Sequence, residues 1–137
     1  MPKEIIASLH EIDQITSYLS ETLPSDAIIF LHGDLASGKT TLTQAIAKER
    51  GVESEVTSPT FSFQQCYTNN LYHYDLYRLS HEAFMQMGLF EEFEKTGWHI
   101  VEWGSDALKS FLEGVGYNVH IVEIVPHKEK RIYRISS

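Results

Sequence analysis

Apolar positions recur at helical and strand spacings along the first third of the chain. A helix over residues 8–21 is predicted by apolar side chains at three- and four-residue steps, namely Ile5, Leu9, Ile12, Ile15 and Leu19. The run Ala27–Leu31 is wholly apolar, which is typical of a strand buried on both faces of a parallel sheet. A second helix is predicted from Lys39, with Leu42, Ala45 and Ile46 on one face and a stop at Gly51. The order is therefore helix, strand, glycine-containing loop and helix.

The rest of the chain continues this alternation. Phe61–Tyr67 and Leu71–Tyr77 are rich in β-favouring residues and predict a hairpin around Asn69 and Asn70. Ser80 can cap a helix that extends to about residue 95. Its predicted buried face carries Phe84, Met87 and Phe93. The last predicted elements are a strand over 98–103, a helix over 105–113 and a hairpin of residues 117–125 and 131–135 around Pro126. This order predicts one α/β domain over residues 1–137, with a mainly parallel central sheet, flanking helices and antiparallel hairpins.

Composition narrows the class of protein. The 11 Lys and Arg residues among 137 stand against 19 acidic ones, for a net charge of −8, so broad nucleic-acid binding is disfavoured. No apolar run approaches the roughly 18 residues of a membrane span, and the N-terminus lacks a signal-peptide core. Cys66 is the only cysteine and can form no internal disulfide. These features predict a soluble protein.

A phosphate-binding motif lies between the apolar strand and the second helix. Residues 33–40, with sequence GDLASGKT, match the pattern G-x-x-x-x-G-K-[ST] of the P-loop, in the context that the motif requires. Gly33 and Gly38 permit the backbone geometry, and Lys39 is predicted to reach the β- and γ-phosphates. The Thr40 hydroxyl is predicted to ligate Mg²⁺, and Thr41 to add a phosphate contact.

Hydrolysis of a bound nucleotide also requires a carboxylate near Mg²⁺ and a group that orients water. Glu102 is one candidate, because it follows Ile100 and Val101 at the end of a predicted strand. Asp75 is the other, within the segment HYDLYR. Position alone leaves both acids open, since each could be an ordinary solvated carboxylate. His73 is interpreted as a hydrogen-bonded structural side chain rather than a base.

Two further features lie near the predicted site. Trp103, beside Glu102, is by default an ordinary aromatic residue, although its face could stack on a nucleotide base. Thr57–Phe61, with sequence TSPTF, occupies the place of the segment that senses γ-phosphate in P-loop proteins. The seven histidines and single cysteine form no zinc-binding spacing, and no G-x-S-x-G elbow is present.

Taken together, GDLASGKTT, SPTF, HYDLYRL and VEWG, in this order, resemble the TsaE family of bacterial P-loop ATPases. The resemblance implies ATP and Mg²⁺ as cofactors and a cytoplasmic role in making threonylcarbamoyladenosine beside the tRNA anticodon. The transfer itself is done in that family by TsaD with TsaB. The implied role of this chain is to bind that pair and hydrolyse ATP, so its contact with tRNA is indirect.

The resemblance also implies roles for individual residues. Residues implied to hold the nucleotide are Gly33, Ala36, Ser37, Gly38, Lys39, Thr40, Thr41, Thr57 and Trp103. Thr40 and Glu102 are implied to serve Mg²⁺, and Asp75 falls on the acid that the family requires. Arg131 stands where the family often has an arginine, which makes an ATP contact a further expectation.

One departure from the family pattern concerns the loop itself. The family usually reads GDLGAGKT, whereas Ala36 and Ser37 stand here in place of Gly-Ala. If the family glycine has a positive φ, Ala36 is strained by about 1 kcal/mol or more. Binding is expected to survive, because the general pattern does not require glycine there.

Two other functions remain open on the residues alone. A small-molecule kinase would hold ATP in the same loop and an acceptor near the hairpin, but no lid insertion or basic acceptor pocket is visible. A nucleotide-dependent binding module would dock a partner without hydrolysis. A GTPase is disfavoured because no N-K-x-D motif occurs.

Overall fold

The computed structural model describes residues 3–34, 38–52 and 63–136. Its strands are β1 (Lys3–Ala7), β2 (Ala27–His32), β3 (Gln64–Tyr67), β4 (Leu71–Asp75), β5 (Trp98–Glu102), β6 (Val119–His127) and β7 (Lys130–Ser136). Its helices are α1 (Asp13–Thr22), α2 (Lys39–Glu49), α3 (His81–Gln86) and α4 (Asp106–Gly114), with 3-10 helices at Leu9–Glu11 and Leu89–Glu94. Ala36, Ser37 and the segment Thr57–Phe61 lie outside the described residues.

The seven strands form one mixed sheet in the order β1-β7-β6-β2-β5-β4-β3. The four central strands, β6, β2, β5 and β4, are parallel to one another. Antiparallel pairing adds β7 and β1 at one side and β3 at the other. The carboxyl ends of the four parallel strands therefore meet at one edge, which is where open α/β sheets bind ligands.

Strand β2 lies at the centre of the sheet and is buried on both faces, as its apolar run predicts. Ile29 and Leu31 pack in a cluster with residues of α1 and α2 on one face. Ile28 and Phe30 pack with residues of α3 and α4 on the other. Successive side chains of a strand point to opposite faces, so a strand covered by helices on both sides needs apolar residues at consecutive positions. The predicted flanking helices and central sheet are confirmed.

The amino-terminal segment departs from the helical pattern. Ile5 fits the helical spacing, but it lies in β1, which pairs with β7 from the other end of the described chain. Ser8 follows the strand, and its backbone N–H donates to Glu11 Oε1 at 3.0 Å within a capping box. The α-helix itself begins only at Asp13. The long-range ladder outweighs the local helical spacing here, as tertiary pairing commonly outweighs weak local preference.

The predicted helix over residues 80–95 begins as expected but is too long. The Ser80 hydroxyl caps α3 by accepting a backbone hydrogen bond at 3.1 Å. Gly88 then adopts φ 74°, a left-handed conformation that ends the helix, and a 3-10 helix follows. The changed periodicity leaves Phe84 and Phe93 buried but Met87 53% exposed, so the prediction that Met87 is buried is wrong.

Both predicted hairpins form, and one has a shifted turn. Asn69 and Asn70 adopt φ 62° and 55° between β3 and β4, as predicted. Pro126 does not form the second turn, because it lies inside β6 opposite Arg131, and the chain reverses at Lys128 with φ 55°. Pairing of β6 with β2 reaches only as far as Glu123. Pro126 therefore lies beyond that ladder, where its missing N–H costs the sheet little.

Candidate active site

The glycine loop emerges beside the end of the neighbouring strand. Leu31 on β2 pairs in parallel register with Glu102, the last residue of β5. The loop begins at Gly33, and the chain enters α2 through Gly38, whose φ of 105° suits a residue without a Cβ. Helix α2 starts at Lys39. The loop, the helix start and the Glu102 carboxylate thus share one edge of the sheet.

The ammonium group of Lys39 is turned back onto its own loop. Its Nζ donates to the carbonyl oxygens of Gly33 at 2.7 Å and Asp34 at 2.9 Å. The indole of Trp103 covers the same group, with Nζ 4.3 Å from the ring centroid. Lys39 is only 4% exposed. The carbonyl oxygens and the aromatic face thus hold the Lys39 ammonium group at the loop, where it can bind an anion.

Opposing electrostatic effects act on Lys39. Burial lowers the pKa of its ammonium group, because the charged form is less well solvated there. The carboxylates of Glu102, Asp75 and Asp34 act in the other direction and favour the charged form. The acids around the loop therefore help to keep a desolvated lysine charged.

Glu102 is a buried carboxylate, 3% exposed, and two side chains approach the same oxygen. His73 Nε2 lies 2.5 Å from Glu102 Oε2. The Thr40 hydroxyl lies 3.4 Å from that oxygen across the junction of loop and helix. A hydroxyl and a carboxylate are hard oxygen donors, and Mg²⁺ is typically held by one or two such protein ligands together with waters and phosphate oxygens. The residues present therefore fit a magnesium ion.

Among the described ranges, no group of three or more His, Cys, Asp or Glu side chains is arranged to hold a metal ion by itself. The two oxygen donors of Thr40 and Glu102 suit an ion that shares its coordination with a phosphate ligand. This arrangement differs from a closed structural site, in which the protein supplies every ligand.

Asp75 lies next to Glu102 at the same edge. It ends β4, pairs in parallel register with Glu102 on β5, and is half-buried. Its Oδ1 accepts a hydrogen bond of 3.1 Å from the backbone N–H of Tyr77, which orients the carboxylate. The structure brings the two candidate acids together, one deeply buried and one open to solvent on one side.

Trp103 follows Glu102 in a left-handed conformation, with φ 62°. Such a conformation is unusual for a bulky residue and carries strain. The indole lies against the Tyr77 ring at a centroid distance of 4.8 Å and over Lys39. Gly104 comes next, and a Cβ at that position would fall 2.5 Å from the Phe30 ring. The indole is thus held on the Glu102 side of the loop.

A second cation approaches the loop from the opposite side. A Cβ built on Gly38 would fall on the Arg131 guanidinium, so that group covers Gly38 at the start of α2. Arg131 is the second residue of β7, which is separated from β2 by β6, whereas Glu102 lies on the other neighbour of β2. The loop is therefore flanked by Glu102 and Trp103 on one side and by Arg131 on the other.

An open cavity of about 330 Å³ adjoins the loop. Its lining consists of Leu31, His32, Gly33, Asp34, Trp103 and Gly104. Another cavity, of about 160 Å³, lies at the amino edge of the sheet and is lined in part by Asp26 and His120. Of these two cavities, the first adjoins the phosphate-binding motif on its Trp103 side, so it is the candidate space for the γ-phosphate end of a nucleotide.

The structure brings most of the predicted site residues to this edge, namely Gly33, Gly38, Lys39, Thr40, Asp75, Glu102 and Trp103. Thr41 lies half-buried in the first turn of α2. Ala36, Ser37 and Thr57 lie outside the described residues, so their roles stay predictions. The contact of His73 with Glu102 was missed, because it depends on the register of two strands that are distant in sequence.

Strand β2, the glycine loop, helix α2 and a buried acid ending the adjacent parallel strand together define a P-loop NTPase fold. A solved structure, YdiB of Bacillus subtilis, shares this fold with a TM-score of 0.65 over 98% of this chain and 86% of that chain, at 24% identity.

The sequence matches a family as well as a fold. The sequence model of the family "Threonylcarbamoyl adenosine biosynthesis protein TsaE" matches residues 6–132. A Rickettsia prowazekii protein named tRNA threonylcarbamoyladenosine biosynthesis protein TsaE is 34% identical over 110 residues, covering 77% of this chain and 75% of that protein. The chain belongs to the TsaE family.

Two further relatives carry the same printed name. The Nostoc protein is 37% identical over 92 residues, or 65% of this chain, and the Treponema pallidum protein is 40% identical over 85 residues, or 60% of it. These matches span 57% and 63% of the relatives' own lengths. Within the described residues, no helix has both the length and the apolar character needed to cross a membrane.

Proposed function

We propose that this protein binds ATP with Mg²⁺ at the carboxyl edge of its sheet and hydrolyses it in the cytoplasm. The hydrolysis would support TsaD and TsaB during threonylcarbamoyladenosine modification of tRNA. The observation that carries the proposal is the meeting of the Lys39 ammonium, the Thr40 hydroxyl and the Glu102 carboxylate at one glycine loop. Family membership supports the biosynthetic process.

Lys39 would bind the β- and γ-phosphates. In the structure its ammonium donates to the carbonyls of Gly33 and Asp34, so binding requires those contacts to be exchanged for phosphate oxygens. Because the carbonyls and the indole already hold the group near the loop, little side-chain entropy is lost in the exchange. Gly38 and the N-terminal turn of α2 would add backbone N–H donors.

Thr40 and Glu102 would hold the magnesium ion. When bound, this ion neutralises charge on the β- and γ-phosphate oxygens during phosphoryl transfer. Asp75 would orient the water that attacks the γ-phosphorus, while the bond to the bridging oxygen breaks and ADP and phosphate leave. The half-buried position of Asp75, one strand from Glu102, supports a role toward solvent rather than as a second buried ligand.

The net charge supports the proposal that contact with tRNA is indirect. With a net charge of −8, the chain has little capacity to neutralise tRNA phosphates, so its access to tRNA is proposed to run through TsaD and TsaB. Trp103 and Tyr77 lie at the exposed side of the site, with Tyr77 54% exposed. A bound partner could reach the site from this side.

The proposal is tested by measuring phosphate release from ATP for the protein alone and with TsaD and TsaB, using Lys39→Ala as the control. Slow release alone and faster release with both partners is expected, and Lys39→Ala should lose both. ATP binding without release in either mixture would indicate a nucleotide-dependent binding module. Transfer of labelled phosphate to a small acceptor would indicate a kinase.

A further inference from the structure

His73 is a fully buried histidine next to the proposed metal-binding acid. Its exposure is 0%, and its Nε2 lies 2.5 Å from Glu102 Oε2. It precedes Asp75 by two residues on β4, so both side chains lie on the same face of the sheet. The other ring nitrogen, Nδ1, is buried and has no hydrogen-bond partner among residues 3–34, 38–52 and 63–136.

Packing alone does not account for a histidine at this position. A buried polar nitrogen without a partner lowers the stability of a fold, whereas an apolar side chain of similar size carries no such cost. Leu71, two residues earlier on the same face of β4, is fully buried in the apolar cluster. The feature that distinguishes His73 from its apolar neighbour is the contact with Glu102.

That contact fixes a carboxylate that would otherwise rotate. Glu102 Oε2 is held by His73 and lies near the Thr40 hydroxyl, so the position of this oxygen is fixed before any cation arrives. Side chains that orient metal ligands in this way typically change metal affinity by roughly 10- to 100-fold when they are removed. We propose that His73 is a positioning residue that holds Glu102 in the orientation required by the magnesium ion. This inference rests on the proposed function.

The test is a calorimetric titration of ADP binding at a series of Mg²⁺ concentrations, which requires no hydrolysis. His73→Leu is expected to raise the Mg²⁺ concentration needed for half-maximal ADP affinity by about tenfold or more, with metal-free ADP binding unchanged. His73→Gln, whose amide nitrogen can reach the place of Nε2, should recover most of that loss. His73→Asn, one methylene shorter, should not.

His99→Leu is the matched control. His99 is also buried, at 1% exposure, on the neighbouring strand β5, but its ring bonds Tyr74 and a backbone carbonyl rather than Glu102. The His99→Leu substitution should lower the melting temperature and leave the Mg²⁺ dependence of ADP binding unchanged. In a Glu102→Gln background, His73→Leu should have no further effect on Mg²⁺ dependence.

The outcomes separate the inference from the function on which it rests. If the unaltered protein binds ADP with a Mg²⁺ dependence that His73→Leu and His73→Asn both preserve, the positioning role is wrong and the proposed function stands. If the unaltered protein binds neither ADP nor ATP, the proposed function and the inference both fail. Should His73→Leu fail to fold, the comparison of His73→Gln with His73→Asn decides the question.

Discussion

Arg131 offers a direct test of how a nucleotide would lie across the loop. Glu102 and Arg131 flank the loop from opposite sides, so a nucleotide bound with its γ-phosphate beside Glu102, as proposed, would extend its α-phosphate and nucleoside toward Arg131. We therefore predict that Arg131→Gln weakens the binding of ATP and ADP to the same extent. A residue that contacted only the γ-phosphate would affect ATP alone.

The magnitude follows from the surroundings of the guanidinium. Hydrogen bonds to charged groups contribute about 1.5–3 kcal/mol, or roughly 10- to 100-fold in affinity. Arg131 is only half-buried, and exposed charges are screened by water, so the lower end of this range applies. The expected loss is about tenfold for both nucleotides. Arg131→Lys, which keeps the charge but not the planar fork, should lose less.

Calorimetry with ATP and ADP measures this directly, and Arg134→Gln provides the control. Arg134 lies on the same strand, but it is exposed and pairs with Glu4 and Glu123 rather than with the loop. Its substitution should leave both affinities unchanged. If Arg131→Gln reduces ATP binding while ADP binding stays at the level of the unaltered protein, the assigned direction of the nucleotide is wrong. If neither affinity changes, Arg131 makes no contact with the nucleotide.

Three other predictions concern the acids, a glycine and a buried histidine. Glu102→Gln should weaken Mg²⁺-dependent ATP binding in calorimetry. Asp75→Asn should bind ATP normally but release little phosphate. Equal phosphate release by Asp75→Asn and the unaltered protein would rule out a catalytic role for Asp75. Gly104→Ala should lower stability by about 1–3 kcal/mol in thermal unfolding because its Cβ meets the Phe30 ring, while Gly114→Ala, with open space around it, should not. Burial lowers the pKa of His99 below its ordinary value of 6.5, so as the pH falls the unfolded chain binds this proton before the folded protein does. The free energy of unfolding should therefore fall as the pH drops below 6.5. In denaturant titrations, His99→Gln should reduce that dependence on pH.

Local signals were sufficient for the parts of the fold that depend on local chemistry. The motif at residues 33–40 predicted a loop between a buried strand and a helix, and Ser80 predicted a helix start that its hydroxyl does cap. The Asn69 and Asn70 pair predicted a turn with positive φ. Each of these features is decided within a few residues of chain, where side-chain chemistry and backbone preference act together.

Features that depend on distant partners were not predictable from local patterns. Ile5 fits a helical spacing, but its strand is stabilised by a ladder with residues 131–135. Pro126 is tolerated inside β6 because pairing with β2 has already ended. The contact of His73 with Glu102 likewise requires the parallel register of β4 and β5, which no spacing along the chain reveals.

The order of strands also determines when the parts of the site can assemble. Strands β2, β4 and β5 carry the loop and both acids and lie within residues 27–102, and β5 pairs with each of the other two. Strand β1 must wait for β7, because their pairing joins residues 3–7 to residues 131–135. During synthesis the Glu102 side of the candidate site can form before the strand that carries Arg131 has been made, and contacts of such large sequence separation are slow to form. The Arg131 side of the candidate site would therefore be the last part of it to form.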